Sequence, residues 1–192
     1  MQFYTRDPSN VIVENGLLKI TARLDNGQFT SARIKTQDLF EFTYGRVDVR
    51  AKLPSGGGTW PAIWMLGADF ETNIWPAAGE IYIMEHVGNR QNTIFSSLHF
   101  PGNSGGNAVT ESTIDDDVSD DFHVYSVEWS VTEIKFYIDD VLFHTFPNSS
   151  NVPFDKDFFL IMNVAMGGTF GGDIEAGFTE SSMEVDYVRI FQ

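Results

Sequence analysis

Cysteine is absent from the 192 residues. That excludes disulfides, thiolate metal sites and a cysteine nucleophile, and leaves the redox compartment open. Basic residues are scarce: 12 Lys and Arg stand against 27 Asp and Glu, a formal net charge of -15. A surface so acidic repels phosphate backbones and anionic lipid, so no nucleic-acid and no membrane partner is expected. A neutral or cationic ligand suits it better. No apolar run approaches the ~18 residues of a membrane span, and the N-terminus carries no signal-peptide pattern. Helical periodicity is lacking too, since no stretch of helical length repeats every ~3.6 residues. Neither a linker nor an internal repeat divides the chain, and a single domain over residues 1–192 is expected.

What is present is apolar and aromatic. Hydrophobic residues make up 42% and charged residues 20%, enough for a core and too apolar for disorder. Aromatics reach 14%, with 17 Phe, an excess that suggests stacking surfaces as well as a core. The order is one of strands. Asn15-Gly16 interrupts the β-rich stretch 11–24 and predicts a tight hairpin. A second turn, Asp25-Asn26-Gly27, leads to a strand over 29–36. In 44–53, Val47, Val49, Ala51 and Leu53 alternate with Arg46, Asp48, Arg50 and Lys52, the period of a half-buried strand. Further strands are predicted over 60–66, 80–87, 93–100, 123–130, 133–139, 158–164 and 183–191. Short antiparallel strands throughout imply a β-sandwich or barrel. The Gly-rich loops 67–79, 101–121 and 166–180 are long enough to border a ligand cleft.

Several chemistries can be set aside. Gly102-Asn103-Ser104-Gly105-Gly106 matches G-x-S-x-G in form, but a nucleophile elbow needs a helix after it, and Ala108-Val109-Thr110 follows. The Gly-rich run 167–172 lacks the lysine and helix of a phosphate loop. The four His are scattered, without zinc spacing. The acidic run 115–121 lacks the positioned Gly and distal Glu of a calcium loop and reads as a solvated loop.

Residues 75–86 carry more information. Glu80 and Glu85 sit in a strand that is otherwise apolar and aromatic, where a carboxylate is costly unless it faces a cleft or a partner. Their odd offset points them to opposite faces of a regular strand. One bulge at Ile83-Met84 restores a shared face. The Cα atoms then lie about 13 Å apart at ~3.3 Å per step, and the carboxyls can approach to about 5 to 6 Å, the separation of a retaining glycosidase. The alternative is a regular strand with one Glu at the surface and the other in an ion pair.

The chain resembles glycoside hydrolase family 16, in particular its laminarinase-type endo-1,3-β-glucanases. The resemblance runs through Phe3-Tyr4-Thr5, Tyr44-Gly45-Arg46, Arg50-Ala51-Lys52-Leu53-Pro54, Trp60-Pro61-Ala62-Ile63-Trp64-Met65-Leu66-Gly67, residues 75–85, Asn163-Val164-Ala165-Met166-Gly167-Gly168 and Val185-Asp186-Tyr187-Val188-Arg189. It implies a β-jelly-roll of two antiparallel sheets with a concave glucan-binding cleft. It implies retaining endo-hydrolysis of β-1,3-glucan, with Glu80 as nucleophile, Glu85 as acid/base and no cofactor for catalysis. It also implies an extracellular monomer. Where the family signature has Asp, this chain has Tyr82, which is expected to hydrogen-bond Glu80 without carrying charge and to weaken turnover. A β-glucan-binding protein with little catalysis is the alternative. By position, Asn10, Arg33, Trp75, Tyr82 and His99 resemble substrate-binding residues, and Asp186 resembles a ligand of a structural calcium. The family's first strand has no counterpart before Phe3, which puts that calcium in question and leaves an edge expected near 183–191.

Overall fold

The computed structural model describes residues 2–192. Its strands are β1 (Phe3–Tyr4), β2 (Val11–Glu14), β3 (Leu17–Asp25), β4 (Gln28–Ser31), β5 (Arg33–Lys35), β6 (Gly45–Lys52), β7 (Thr59–Gly67), β8 (Glu80–His86), β9 (Thr93–His99), β10 (Val109–Ile114), β11 (His123–Trp129), β12 (Glu133–Ile138), β13 (Val141–Pro147), β14 (Phe158–Met166) and β15 (Glu180–Phe191). The one α-helix among the described residues, α1 (Gly168–Gly171), is a single turn. The strands form two sheets. One runs β1-β4-β3-β15-β6-β11-β12-β13, with β2 also on β3; the other runs β10-β9-β8-β7-β14-β5. β1 and β4 are parallel, and the pairs that build the rest are antiparallel. Of the sandwich and the barrel that the strand pattern leaves open the sandwich forms, and it is the jelly-roll that the resemblance implies.

Local sequence accounts for the turns. Asn15 and Gly16 both take the left-handed conformation (φ 53° and 82°), as a two-residue hairpin loop requires. Asp139 and Asp140 do the same between β12 and β13 (φ 48° and 63°). No glycine marks that turn, and β13 is an edge strand with few buried positions, so β13 escapes the sequence reading. β10 lies in what reads as the loop 101–121 and escapes for the same reason. The strand expected over 29–36 is two strands. The chain leaves the larger sheet at Ser31, passes through buried Ala32 and joins the smaller sheet as β5.

The core fills the space between the sheets. Val47, Val49 and Ala51 of β6 are fully buried and meet Ile63, Met65, Ile81, Ile83, Met84 and Leu98 from the other layer. Each such Val, Leu or Ile contributes about 1.5–3 kcal/mol of burial. The far face of the smaller sheet carries a second apolar cluster, Ala62, Trp64, Phe159 and Ile161, with Tyr82 packed against it. That face is the concave one. The edge expected near 183–191 is partial. Met183 to Val185 pair with β3, whereas Tyr187 to Phe191 pair on one side with β6.

Candidate active site

The strand that carries the two glutamates is set by a glycine at its start and a bulge in its middle. Gly79 has φ 80°, and a Cβ there would come within 3.1–3.2 Å of Pro153, Phe154 and Phe158, so only glycine enters β8 without displacing the core. Glu80 and Tyr82 then point to the concave face, while Ile81 faces the core. On the β7 side Trp64 pairs with Tyr82 and Ile63 with Met84, leaving Ile83 as the extra residue. On the β9 side Tyr82 pairs with Ser97 and Glu85 with Phe95. Ile83 and Met84 are both buried in the core, so the alternation slips by one and Glu85 returns to the face of Glu80. The bulge inferred from the odd spacing is present, and the opposite-face alternative is not what forms.

Burial and hydrogen bonds separate the two carboxyls. Glu85 is 5% exposed. Its Oε1 accepts the Trp60 indole N–H at 3.0 Å. Burial pushes its pKa up to about 7; the Trp60 and Ser97 side chains pull down, and the charge of Glu80 pushes up. Burial also raises Glu80, opposed by the polar edge of Trp75 and the positive charge of Arg33. The group nearest a cation is thus the better anion, and the more buried one is the better proton store.

The substrate-binding residues read from the sequence divide into two sets. Arg33 on β5 lies over the rings of Tyr4 and Trp64 (4.8 and 5.5 Å to their centroids) and has no carboxylate partner among the described residues. With Tyr4, Trp60, Trp64, Tyr82 and Asn163 it lines a pocket of about 280 Å³. Trp75 holds its indole half exposed in the loop before β8. His99 is the cross-strand partner of Glu80 and packs edge-on against Tyr82 at 5.3 Å. Burial lowers its pKa, and its Nδ1 accepts the Gly105 N–H. Tyr82 stacks flat on Trp64, 5.0 Å between centroids and 1° between planes. Burial and the two glutamate charges raise its phenol well above the usual range. Its expected hydrogen bond to Glu80 does not form, because stacking draws the ring onto the indole.

Asn10 and Asp186 are not among the residues that line the cleft pocket. Asn10 is buried on the larger sheet, where its amide donates to Thr21 O and Thr30 Oγ1 and accepts from Thr5 Oγ1. Both amide N–H bonds and one to its oxygen tie the turn before β2 to β3, β4 and Thr5. Asp186 falls at the register shift of β15, and its Oδ2 pairs with Arg50 Nη1 at 2.8 Å. Among the described residues no further carboxylate or imidazole joins it in a metal-sized cluster.

Some site residues escape sequence reading. Trp60 reads as cleft or core alike, yet it holds Glu85. Phe170 of α1 packs edge-on against Trp60 and Phe95, and its Gly-rich surroundings give no sign of that. Asn163 had a signal: an amide inside the apolar β14, where it accepts the Trp64 indole N–H at 3.0 Å.

The family described as glycosyl hydrolases family 16 matches residues 2–189. The beta-glucanase of Rhodothermus marinus is 39% identical over 215 residues, which cover all of this chain and 74% of that protein. Glucan endo-1,3-beta-glucosidase A1 of Niallia circulans is 38% identical over 220 residues, but the chain spans only 32% of its length. The crystal structure of laminarinase from Flavobacterium sp. UMI-01 superposes with a TM-score of 0.94 at 40% identity, over all of this chain and 84% of that one.

Proposed function

The chain belongs to family 16 of the glycosyl hydrolases, and from that premise we infer that it is an endo-1,3-β-glucanase that retains anomeric configuration, with Glu80 as nucleophile and Glu85 as acid/base. The observation that carries this reading is the bulge at Ile83-Met84, which brings a buried carboxyl with a pKa of about 7 to the same concave face as a second carboxyl near Arg33. In the first step Glu80 attacks the anomeric carbon as Glu85 gives its proton to the departing glycosidic oxygen. The products are a glycosyl ester on Glu80 and a shortened glucan. Esterification removes the Glu80 charge, and with it one of the causes that raise Glu85. Having given up its proton, Glu85 is held as a carboxylate by that lowered pKa and serves as base: it takes a proton from water, whose oxygen attacks the same carbon and frees Glu80. The chemistry takes no cofactor. Trp75, half exposed, offers a stacking face to a sugar ring, and Arg33 with Asn163 offers polar contacts in the adjoining pocket.

Tyr82 favours a second outcome, binding of β-glucan with slow turnover. A neutral phenol stacked on Trp64 widens the apolar floor and leaves Glu80 without the carboxyl that the family signature sets beside it. The deciding experiment is release of reducing ends from laminarin by the parent chain and by Glu80→Gln. Hydrolysis by the parent and none by the variant supports the enzyme reading. Laminarin binding without hydrolysis by either supports the binding reading. A polymer that cannot cross a membrane favours action outside the cell, which fractionation of the source culture tests. The expected monomer is tested by light scattering of the purified chain.

A further inference from the structure

The acidic run 115–121, which reads as a solvated loop, is folded onto a buried imidazole. Asp115 and Asp117 follow β10, and His123 opens β11 with 8% of its surface exposed. His123 Nδ1 lies 2.8 Å from Asp139 Oδ2 and 3.2 Å from Asp115 Oδ2, and its Nε2 lies 3.2 Å from Asp117 Oδ1. Asp139 is held from its other oxygen, which accepts the Val124 N–H at 2.8 Å. Among the described residues no Lys or Arg pairs with any of these three aspartates.

Two buried polar groups here have no hydrogen-bond partner: His123 Nε2 and the hydroxyl of Tyr125. Tyr125 is 0% exposed, two residues along β11 from His123 on the same face, and its hydroxyl lies in the field of Asp115, Asp117 and Asp139. An orphaned hydroxyl in a closed core is costly unless something else occupies the space it faces. The Asp117 oxygen stands beside the Nε2 of His123 without forming a hydrogen bond to it. Two ligands of one ion relate in that way: their lone pairs converge on a third point, and at metal–ligand lengths of ~2.0–2.1 Å a tetrahedral site separates them by roughly 3.3 Å. One ligand atom each from Asp115, Asp117 and His123 fall within 4.8 Å of one another.

We propose that Asp115, Asp117 and His123 Nε2 form a binding site for a divalent ion of the zinc type, with Asp139 holding the imidazole in place. The Asp139 contact keeps the proton on Nδ1 and leaves the Nε2 lone pair toward Asp117, with the Asp115 carboxylate beside the ring, the arrangement of a carboxylate behind a metal-bound histidine. An imidazole nitrogen with two carboxylates suits zinc better than calcium or magnesium, which favour oxygen alone. None of these residues lines the cleft pocket, so the ion's role is to pin the 115–121 loop to β11 rather than to take part in hydrolysis.

The test is calorimetric titration of the metal-free full chain with zinc chloride, and separately with calcium chloride, beside thermal melts. The expected result is one saturable zinc site per chain, a higher melting temperature with zinc, and at least tenfold weaker binding of calcium. Asp117→Asn, at an exposed position, is expected to keep the fold and the laminarin activity while weakening zinc at least tenfold. Asp139→Asn leaves the three ligands in place and is expected to weaken zinc about 10–100-fold. Absence of saturable zinc binding overturns the proposal. So does equal binding of calcium, or zinc affinity unchanged by Asp117→Asn in a folded variant.

Discussion

Two groups of carboxylates in one acidic chain meet opposite surroundings. In the cleft, Glu80 and Glu85 are held by burial with few compensating partners, and both are raised. At the other site, Asp115, Asp117 and Asp139 converge on His123, and their charges raise the imidazole against the effect of its own burial. In the first group Glu85 keeps a proton where a reaction can use it. The second gathers negative charge around a nitrogen ligand. Net charge is shared by both, so it distinguishes neither; what differs is whether the carboxylate faces apolar and aromatic walls or another ionisable group.

The comparison breaks first at Glu80. Glu80→Gln is expected to lower kcat on laminarin on the order of 10⁴-fold or more, as loss of a nucleophile does elsewhere, with oligosaccharide binding largely kept, since stacking on Trp75 needs no charge. Steady-state kinetics and a binding titration on the same variant check it. A variant as fast as the parent removes Glu80 from the role of nucleophile.

The parent is expected to lose activity as pH rises through about 7, where burial has raised Glu85; Glu85→Gln is expected to cost about 10²–10⁴-fold in kcat and to erase that alkaline fall. The same residue gives a stability test. Its folded pKa lies above the unfolded value of 4.5, so between these pH values the folded chain holds the extra proton. Stability from this group therefore falls as pH rises from 4.5 to about 7 and stays low above it. The difference amounts to about 3 kcal/mol. Urea unfolding at pH 5 and pH 8 is expected to show Glu85→Gln gaining stability on the parent at the higher pH; an equal pH dependence in both chains rejects the raised pKa.

Tyr82→Asp sharpens the cleft side. It returns a carboxyl beside Glu80 and removes a ring from the sugar floor, so kcat is expected to rise by ~10²-fold, more than affinity changes. A lower kcat in a folded variant makes Tyr82 a working part of this site. The smallest effect is expected at the second group. Without metal, Asp117→Asn removes a contact of an exposed carboxylate and is expected to shift stability by no more than ~1 kcal/mol in thermal or urea melts.

Much of this was legible from local pattern. Alternation in 44–53 marked β6, Asn15-Gly16 marked a hairpin, and Glu80 and Glu85 stood out as charges in an apolar strand. β13 was not legible, because its Asp139-Asp140 turn reaches left-handed conformations without glycine. β5 was not, because leaving one sheet for the other at Ala32 depends on which strand, β3 or β14, stands ready to pair.

By itself the sequence determined the all-β class, the strand periods, the acidic character and the carboxylate pair, since these follow from neighbours along the chain. Only the tertiary structure decided which face each side chain serves. It tied Asn10 into the turn before β2, gave Asp186 to Arg50 and Glu85 to Trp60, and closed the 115–121 loop over His123. The physical reason is common to all four. A polar side chain's partner is chosen by cross-strand register and by the packing of one layer on another, and residues distant in sequence set both.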